Sequence, residues 1–240
     1  MRPRSPAPLV ASVAVLALGA WLWLGGLLPG IWEQAPAVEY LLWTHLYLVT
    51  VSGAAAIVVG VSAGLLLSRP RMRRHADAAM QVLNIGNTVP TLAVLALSMS
   101  LFGIGPTSAI VALALHSMLP VARNTYAGLV SVPPSLVEAA VGMGMTEGQI
   151  LRRVEIPNAL PAILAGVRTA MVINAGTAPL AFLIGGGGLG ELIFAGIDLF
   201  DPAMMLAGAI PSSLLAIGLG SLIGWLTKAM TSRGLAFAHA

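Results

Sequence analysis

Few side chains in this sequence are equipped for chemistry, and their types exclude most of it. There is no cysteine, so thiolate nucleophiles, disulfides and Cys-based metal sites are absent. His45 and His116 stand alone, without metal-ligand spacing. No G-x-x-x-x-G-K-S/T loop occurs, so the chain does not hold nucleotide by that route. Gly185–Gly190 satisfies G-x-G-x-x-G, but it follows an apolar helix and not a strand. It reads as a backbone turn that lets chain or ligand approach closely. No carboxylate lies deep in an apolar run, which removes the usual proton relay.

Two sets of residues remain. The first is uncharged and polar inside apolar runs: Asn84, Asn87, Thr88, Ser98, Ser100, Asn174 and Thr177. Amides in a membrane must find partners, so helix–helix hydrogen bonds are their first use and contact with a polar solute their second. Asn87 and Asn174 are the best solute-path candidates, because Pro90 and Gly176–Pro179 break the helix beside them. Thr88 and Thr177 complete that candidate path. The second set is a charged island, 123–159, in an otherwise apolar chain.

The elements that must position these residues follow from composition. Hydrophobic residues make up 58% of the chain and charged residues 9%, with a mean hydropathy of +0.91. Soluble domains carry about a quarter charged residues, so the chain reads as an all-α membrane bundle. A spanning helix needs about 20 apolar residues. Uncharged runs place six spans at roughly 9–28, 41–67, 79–101, 107–122, 160–184 and 203–226. Gly103-Ile104-Gly105-Pro106 separates the third from the fourth. The fourth is short and is expected to run on past Arg123 as helix. The first follows Arg2 and Arg4 and is read as a retained helix, not a cleaved signal.

Charge gives the orientation. Eleven of the twelve Lys and Arg residues fall at the N-terminus, in 68–78, in 123–159 or at the C-terminus, and Arg168 lies in the fifth span nearer the same side. The opposite loops hold Glu33, Glu39, Glu191, Asp198 and Asp201 and no basic residue. The positive-inside rule therefore puts both termini and the island in the cytoplasm. Trp32, Tyr40 and Trp43 fall at the outer interface, as an aromatic belt does. The basic balance is thus a topology signal and not a nucleic-acid footprint. Arg168 reads as snorkelling to the cytoplasmic interface, and Gly60 with Gly64 as a close helix contact within the chain.

Within the island, Val132-Pro133-Pro134 stops one helix. Ser135 and Glu138 have capping-box spacing, as do Thr146 and Gln149. Leu136, Val137, Ala140 and Val141 give the first short helix an apolar face, and Gly142 and Gly144 end it. Gly144 is expected at positive φ. A second short helix runs through Arg153, with Pro157 and Pro161 bracketing the next span. The expectation is a helix–turn–helix lying at the membrane surface.

Glu138-Ala139-Ala140, Gly144, then Ile156-Pro157 resembles the EAA loop of inner-membrane permeases of ATP-binding-cassette importers. Asn87-Thr88-Val89-Pro90-Thr91, Arg123-Asn124-Thr125-Tyr126-Ala127-Gly128, Gly142-Met143-Gly144-Met145-Thr146 and Leu183–Gly190 are similar to the osmoprotectant branch, which carries glycine betaine, carnitine and choline. That family often has Gln where Asn87 stands. The resemblance covers roughly 40–226.

It implies a type I importer permease fold, with an extra helix and outer loop in 1–39, a core in 40–228 and a cytoplasmic tail in 229–240. It implies that Glu138, Ala139, Ala140, Gly144, Ile156 and Pro157 couple the permease to a separate ATPase. That ATPase pair would hold ATP and Mg, leaving no cofactor or metal in this chain. A second permease subunit, identical or paralogous, and an extracytoplasmic solute-binding protein would complete the system in a bacterial inner membrane. Two alternatives stand beside this reading. A methionine-type importer shares the Gly-rich piece but lacks the Arg-Asn-Thr-Tyr context. An ion-coupled secondary transporter would want an intramembrane carboxylate or inverted repeats.

Overall fold

Long uncharged runs become long helices, and prolines decide where they start and break. The computed structural model describes residues 19–20 and 23–230, apart from the side chains of 73, 77, 83, 84, 86 and 87. Most of the expected first span and of the 229–240 tail lies outside the described residues. In order come α1 (Leu27–Glu33), α2 (Ala35–Ser68), α3 (Arg73–Thr88), α4 (Thr91–Phe102), α5 (Pro106–Val130), α6 (Pro134–Gly142) and α7 (Glu147–Ile150). A π turn (Leu151–Glu155) follows, then α8 (Ile156–Thr177), a 3₁₀ turn (Ala178–Ile184), α9 (Gly190–Asp198) and α10 (Pro202–Met230).

Among the described residues, three helical stretches are long and apolar enough to cross a membrane: Ala35–Ser68, Glu147–Ile184 and Pro202–Met230. Helix α5 has 25 residues and runs well past Arg123, as expected. The expected span 79–101 is not one helix. It is α3 and α4, broken at Pro90, which sits at φ −55 and ψ 136. Proline lacks the N–H that would continue the ladder and pushes the preceding Val89 out of the α region. Thr88 Oγ1 donates to the Ile85 carbonyl at 2.7 Å and so closes the end of α3.

Small residues set the packing, because lipid offers no hydrophobic gradient to drive helices together. Helix α5 is the axis, with α2 on one side and α8 on the other. A Cβ on Gly60 would stand 2.7 Å from Val121 Cβ, and one on Gly64 2.5 Å from Thr125 Cβ. Only glycine permits that approach, so this pair serves packing within the chain. Gly128 of α5 meets Ala162 of α8 in the same way. Leu48, Val49, Leu95, Leu113, Ala175 and Ala181 share one core cluster where α2, α4, α5 and α8 converge with the 3₁₀ turn. A second cluster, Leu129, Ala159 and Ile163 with Leu151 and Ile156, supports the base of the 131–155 segment. Trp32 of α1 and Tyr40 and Trp43 in the first turns of α2 are exposed.

Candidate functional site

The 131–157 segment is built by local chemistry at each of its corners. Pro133 is the N-cap of α6 and Pro134 its first residue. Proline suits that place because its missing N–H has no partner there in any case. The helix therefore starts before Ser135, and the expected capping box between Ser135 and Glu138 does not form. At the other end, Met145 N–H donates to the Ala140 carbonyl at 3.1 Å and Gly144 N–H to the Val141 carbonyl at 2.9 Å. Those bonds are a Schellman stop, which places its C′ residue in the left-handed region. That residue is Gly144, at φ +78, as expected.

The chain re-enters helix at Thr146 with the expected capping box. Thr146 N–H donates to Gln149 Oε1 at 2.8 Å, and Gln149 N–H donates to Thr146 Oγ1 at 3.4 Å. The second helix does not stop at Pro157. It passes through the π turn Leu151–Glu155 into α8, with Pro157 and Pro161 both inside the continuous helical path. The wider π turn immediately before Pro157 relieves the clash and the missing donor that a proline brings to an α ladder.

Burial sorts the loop residues into two faces. Ala140 is 1% exposed and Ile150 7%, so both pack inside the chain, and Val137 is half-buried. The Ala140 side of α6 packs toward α7 and the π turn. Glu138 and Ala139 are exposed, as are the apolar Leu136, Val141 and Met143. The apolar face read from the sequence is therefore split, with one half packed and the other free. Ile156 is half-buried against the lower cluster and Pro157 is exposed.

Between α6 and the end of α2 lies a cleft of about 400 Å³, lined by Arg69, Arg71, Val137, Val141, Glu147 and Glu155 among others. Across its edge Arg69 Nη2 donates to Glu155 Oε2 at 2.8 Å. Sequence reading missed this pair. Its signal was an acidic residue at the exit of a basic loop, which has no fixed partner until the fold brings residues 69 and 155 together.

The candidate path residues divide differently. Asn174 is wholly buried; its Nδ2 donates to Ser52 Oγ at 2.9 Å, and Ser52 Oγ donates to the Leu48 carbonyl at 2.6 Å. In this conformation Asn174 is a contact between α2 and α8. Thr177 Oγ1 donates to the Ile173 carbonyl at 2.9 Å, one turn back on its own helix. Thr88 is exposed beside the Pro90 break. The Asn87 side chain lies outside the described residues. Asn87 and Thr88 stand on α3, which packs on α2 and α5, so the fold does not gather the four residues into one cluster. Gly185, Gly187 and Gly188 adopt positive φ, and a Cβ on Gly188 would stand 3.3 Å from His45 Cα. The Gly-rich turn thus lies directly on the backbone of α2.

Residues 56–233 match the family described as "Binding-protein-dependent transport system inner membrane component". The chain is 51% identical over 219 residues to the osmoprotectant import permease protein OsmY of Salmonella typhimurium strain LT2, covering 91% of this chain and 92% of that one. It is 42% identical over 191 residues to the glycine betaine/carnitine/choline transport system permease protein OpuCB of Bacillus subtilis strain 168, covering 80% and 87%. Among solved structures, an inward-facing form of the MetNI methionine ABC transporter is similar at a TM-score of 0.74 and 24% identity, over 83% of this chain and 99% of that one. At that identity the likeness is one of fold.

Proposed function

Since the chain belongs to the family of binding-protein-dependent transport system inner-membrane components, we propose that it is the permease subunit of an ATP-driven importer for quaternary-ammonium osmoprotectants such as glycine betaine, carnitine and choline. The cargo rests on the relatives at 42% and 51% identity. A likeness of fold stands behind the methionine alternative. Family membership, together with the lack of any carboxylate deep in a span, leaves the ion-coupled alternative without support.

The observation that carries the coupling role is the exposed side of α6, where Glu138 and Ala139 point away from buried Ala140. Leu136 and Val141 of α6, and Met143 at its C-cap, are also exposed, outside the spans and on a helix held at both ends by local stops. A water-facing apolar patch on a fixed helix marks a protein contact. The partner is a separate ATPase pair, which holds ATP and Mg and grips α6 from the cytoplasm. Ala139 and Glu138 face that partner, Gly144 sets the end of the helix, Ala140 and Ile156 anchor it to the permease, and Pro157 shapes its exit. ATP-driven closure of the ATPases moves α6, and the spans rock to release solute delivered by an extracytoplasmic binding protein. Two permeases, identical or paralogous, enclose the path in the bacterial inner membrane, with both termini cytoplasmic.

Along that path, Asn87 and Thr88 flank the broken span, where unwound backbone supplies polar groups at membrane depth. Asn174 and Thr177, bonded to Ser52 and to the Ile173 carbonyl, would join that path only if α2 and α8 moved apart. The test is uptake by the reconstituted complex of labelled glycine betaine, choline and methionine. Accumulation of betaine or choline is expected; accumulation of methionine alone would overturn the cargo.

A further inference from the structure

An ion pair stands at the exit of the coupling loop, and its place in the fold gives it a mechanical role. Arg69 directly follows the last residue of α2. Its side chain is anchored locally, with Nη2 donating to Ser68 Oγ at 3.0 Å and Nε to the Leu65 carbonyl at 3.4 Å. The same Nη2 reaches Glu155 Oε2 at 2.8 Å, and the two side chains are only 30% and 17% exposed. Glu155 is the last residue of the π turn.

Helix α6 packs chiefly on α7 and the π turn. A displacement of α6 reaches the membrane region through the π turn as well as through the short 131–133 link to α5. From the π turn one route runs along the chain into α8. That route is compliant, since a π turn is already unwound and Pro157 and Pro161 each remove a ladder bond. The other route crosses the Arg69–Glu155 bridge into α2, the helix packed most extensively on α5. A charge-assisted bond from an anchored guanidinium is short and directional.

We propose that Arg69 and Glu155 are positioning residues that fork the motion of α6 into α2 as well as α8, so that both helices flanking α5 move together. This rests on the reading of 134–157 as the coupling element. The cleft beside the bridge leaves room for α6 to swing while the bridge holds.

The test uses the full complex in proteoliposomes. Arg69→Gln and Glu155→Gln are expected to keep the ATPase bound, while glycine betaine moved per ATP hydrolysed falls at least about fivefold, the low end of coupling between sites. The charge swap Arg69→Glu with Glu155→Arg should recover much of the loss, and Arg69→Lys should be intermediate. A second readout needs no cargo. The chain has no cysteine, so Leu199→Cys at an exposed position gives this chain a single thiol, whose labelling by an impermeant maleimide is read on the band of this chain. Its labelling should respond to ATP in the parent and not in the single variants. Unchanged transport ratio and unchanged labelling response in either single variant would overturn the proposal, as would a loss that the swap fails to restore. If the parent moves no osmoprotectant yet labels in an ATP-dependent way, the cargo assignment fails and labelling alone decides the bridge. A parent that moves no osmoprotectant and whose labelling ignores ATP overturns both.

Discussion

Replacing Gly144 isolates the backbone from everything else in the 131–157 segment. The residue stands at φ +78, where an L side chain costs about 1–2 kcal/mol. A Cβ placed there meets nothing within 4 Å, so lost packing adds nothing to that cost. Valine, stiff at χ1, falls at the upper end. The penalty bears on the Schellman bonds from Met145 and Gly144, which hold the end of α6. A shift of 1–2 kcal/mol changes the population of the correctly ended helix by a factor of about 5–30. Global stability of about 5–15 kcal/mol survives it. Gly144→Val should thus insert and fold, yet lose most solute-stimulated ATP hydrolysis and hold the ATPase loosely in detergent. Gly144→Ala should lose less, and Gly144→Asn least, because asparagine tolerates the left-handed region. The assay is ATPase co-purification and betaine-stimulated hydrolysis across the four side chains. Full activity in the valine variant would refute the reasoning. So would equal damage from asparagine and valine, since that pattern would mean side-chain size and not φ is what the site resists.

Other outcomes follow from burial and bonding. Ala140→Asp places a charge where exposure is 1%, and should cut the yield of folded chain through a loss of several kcal/mol, about 3–5 if no partner forms; Ala139→Asp, on the exposed face, should fold normally and fail to bind the ATPase, so normal folding of the first or normal binding by the second would count against the assigned faces. Ser52→Ala removes the partner of Asn174 and should lower thermal stability in detergent by about 1 kcal/mol, with no change indicating that the bond between α2 and α8 is dispensable. Reporter fusions at Pro36 and Asp198 should read periplasmic and fusions at Arg73 and Glu147 cytoplasmic, and a cytoplasmic signal at Asp198 would break the proposed orientation.

What the sequence made legible, and what it hid, divides along the reach of the interactions involved. The Thr146–Gln149 cap, the Gly144 stop and the extension of α5 past Arg123 are set by neighbours within a turn, and each appears as read. Family spacing from Asn87 to Gly190 was equally plain, because it needs only residue types in order. The departures gather at prolines. Pro90 was read as a break beside Asn87 yet left inside one span, 79–101, which it divides into α3 and α4. Pro133-Pro134 was read as a stop, where it starts α6. Pro157 was read as a bracket between helices, where a π turn carries the chain through it. A proline only removes a donor and fixes φ; whether that ends, starts or bends a helix depends on which carbonyls the surrounding fold leaves to be satisfied. The face of α6 was hidden for a related reason. On so short a helix with apolar residues on more than one side, periodicity does not say whether Ala140 or Val141 turns inward. Contacts from α7 and the π turn decide it. Both of those elements are themselves placed by Thr146, Gln149 and Pro157, so the surface this loop offers to a partner is fixed by chemistry on its far side. Substitutions at Thr146 or Pro157 should therefore disturb ATPase binding without touching the ATPase.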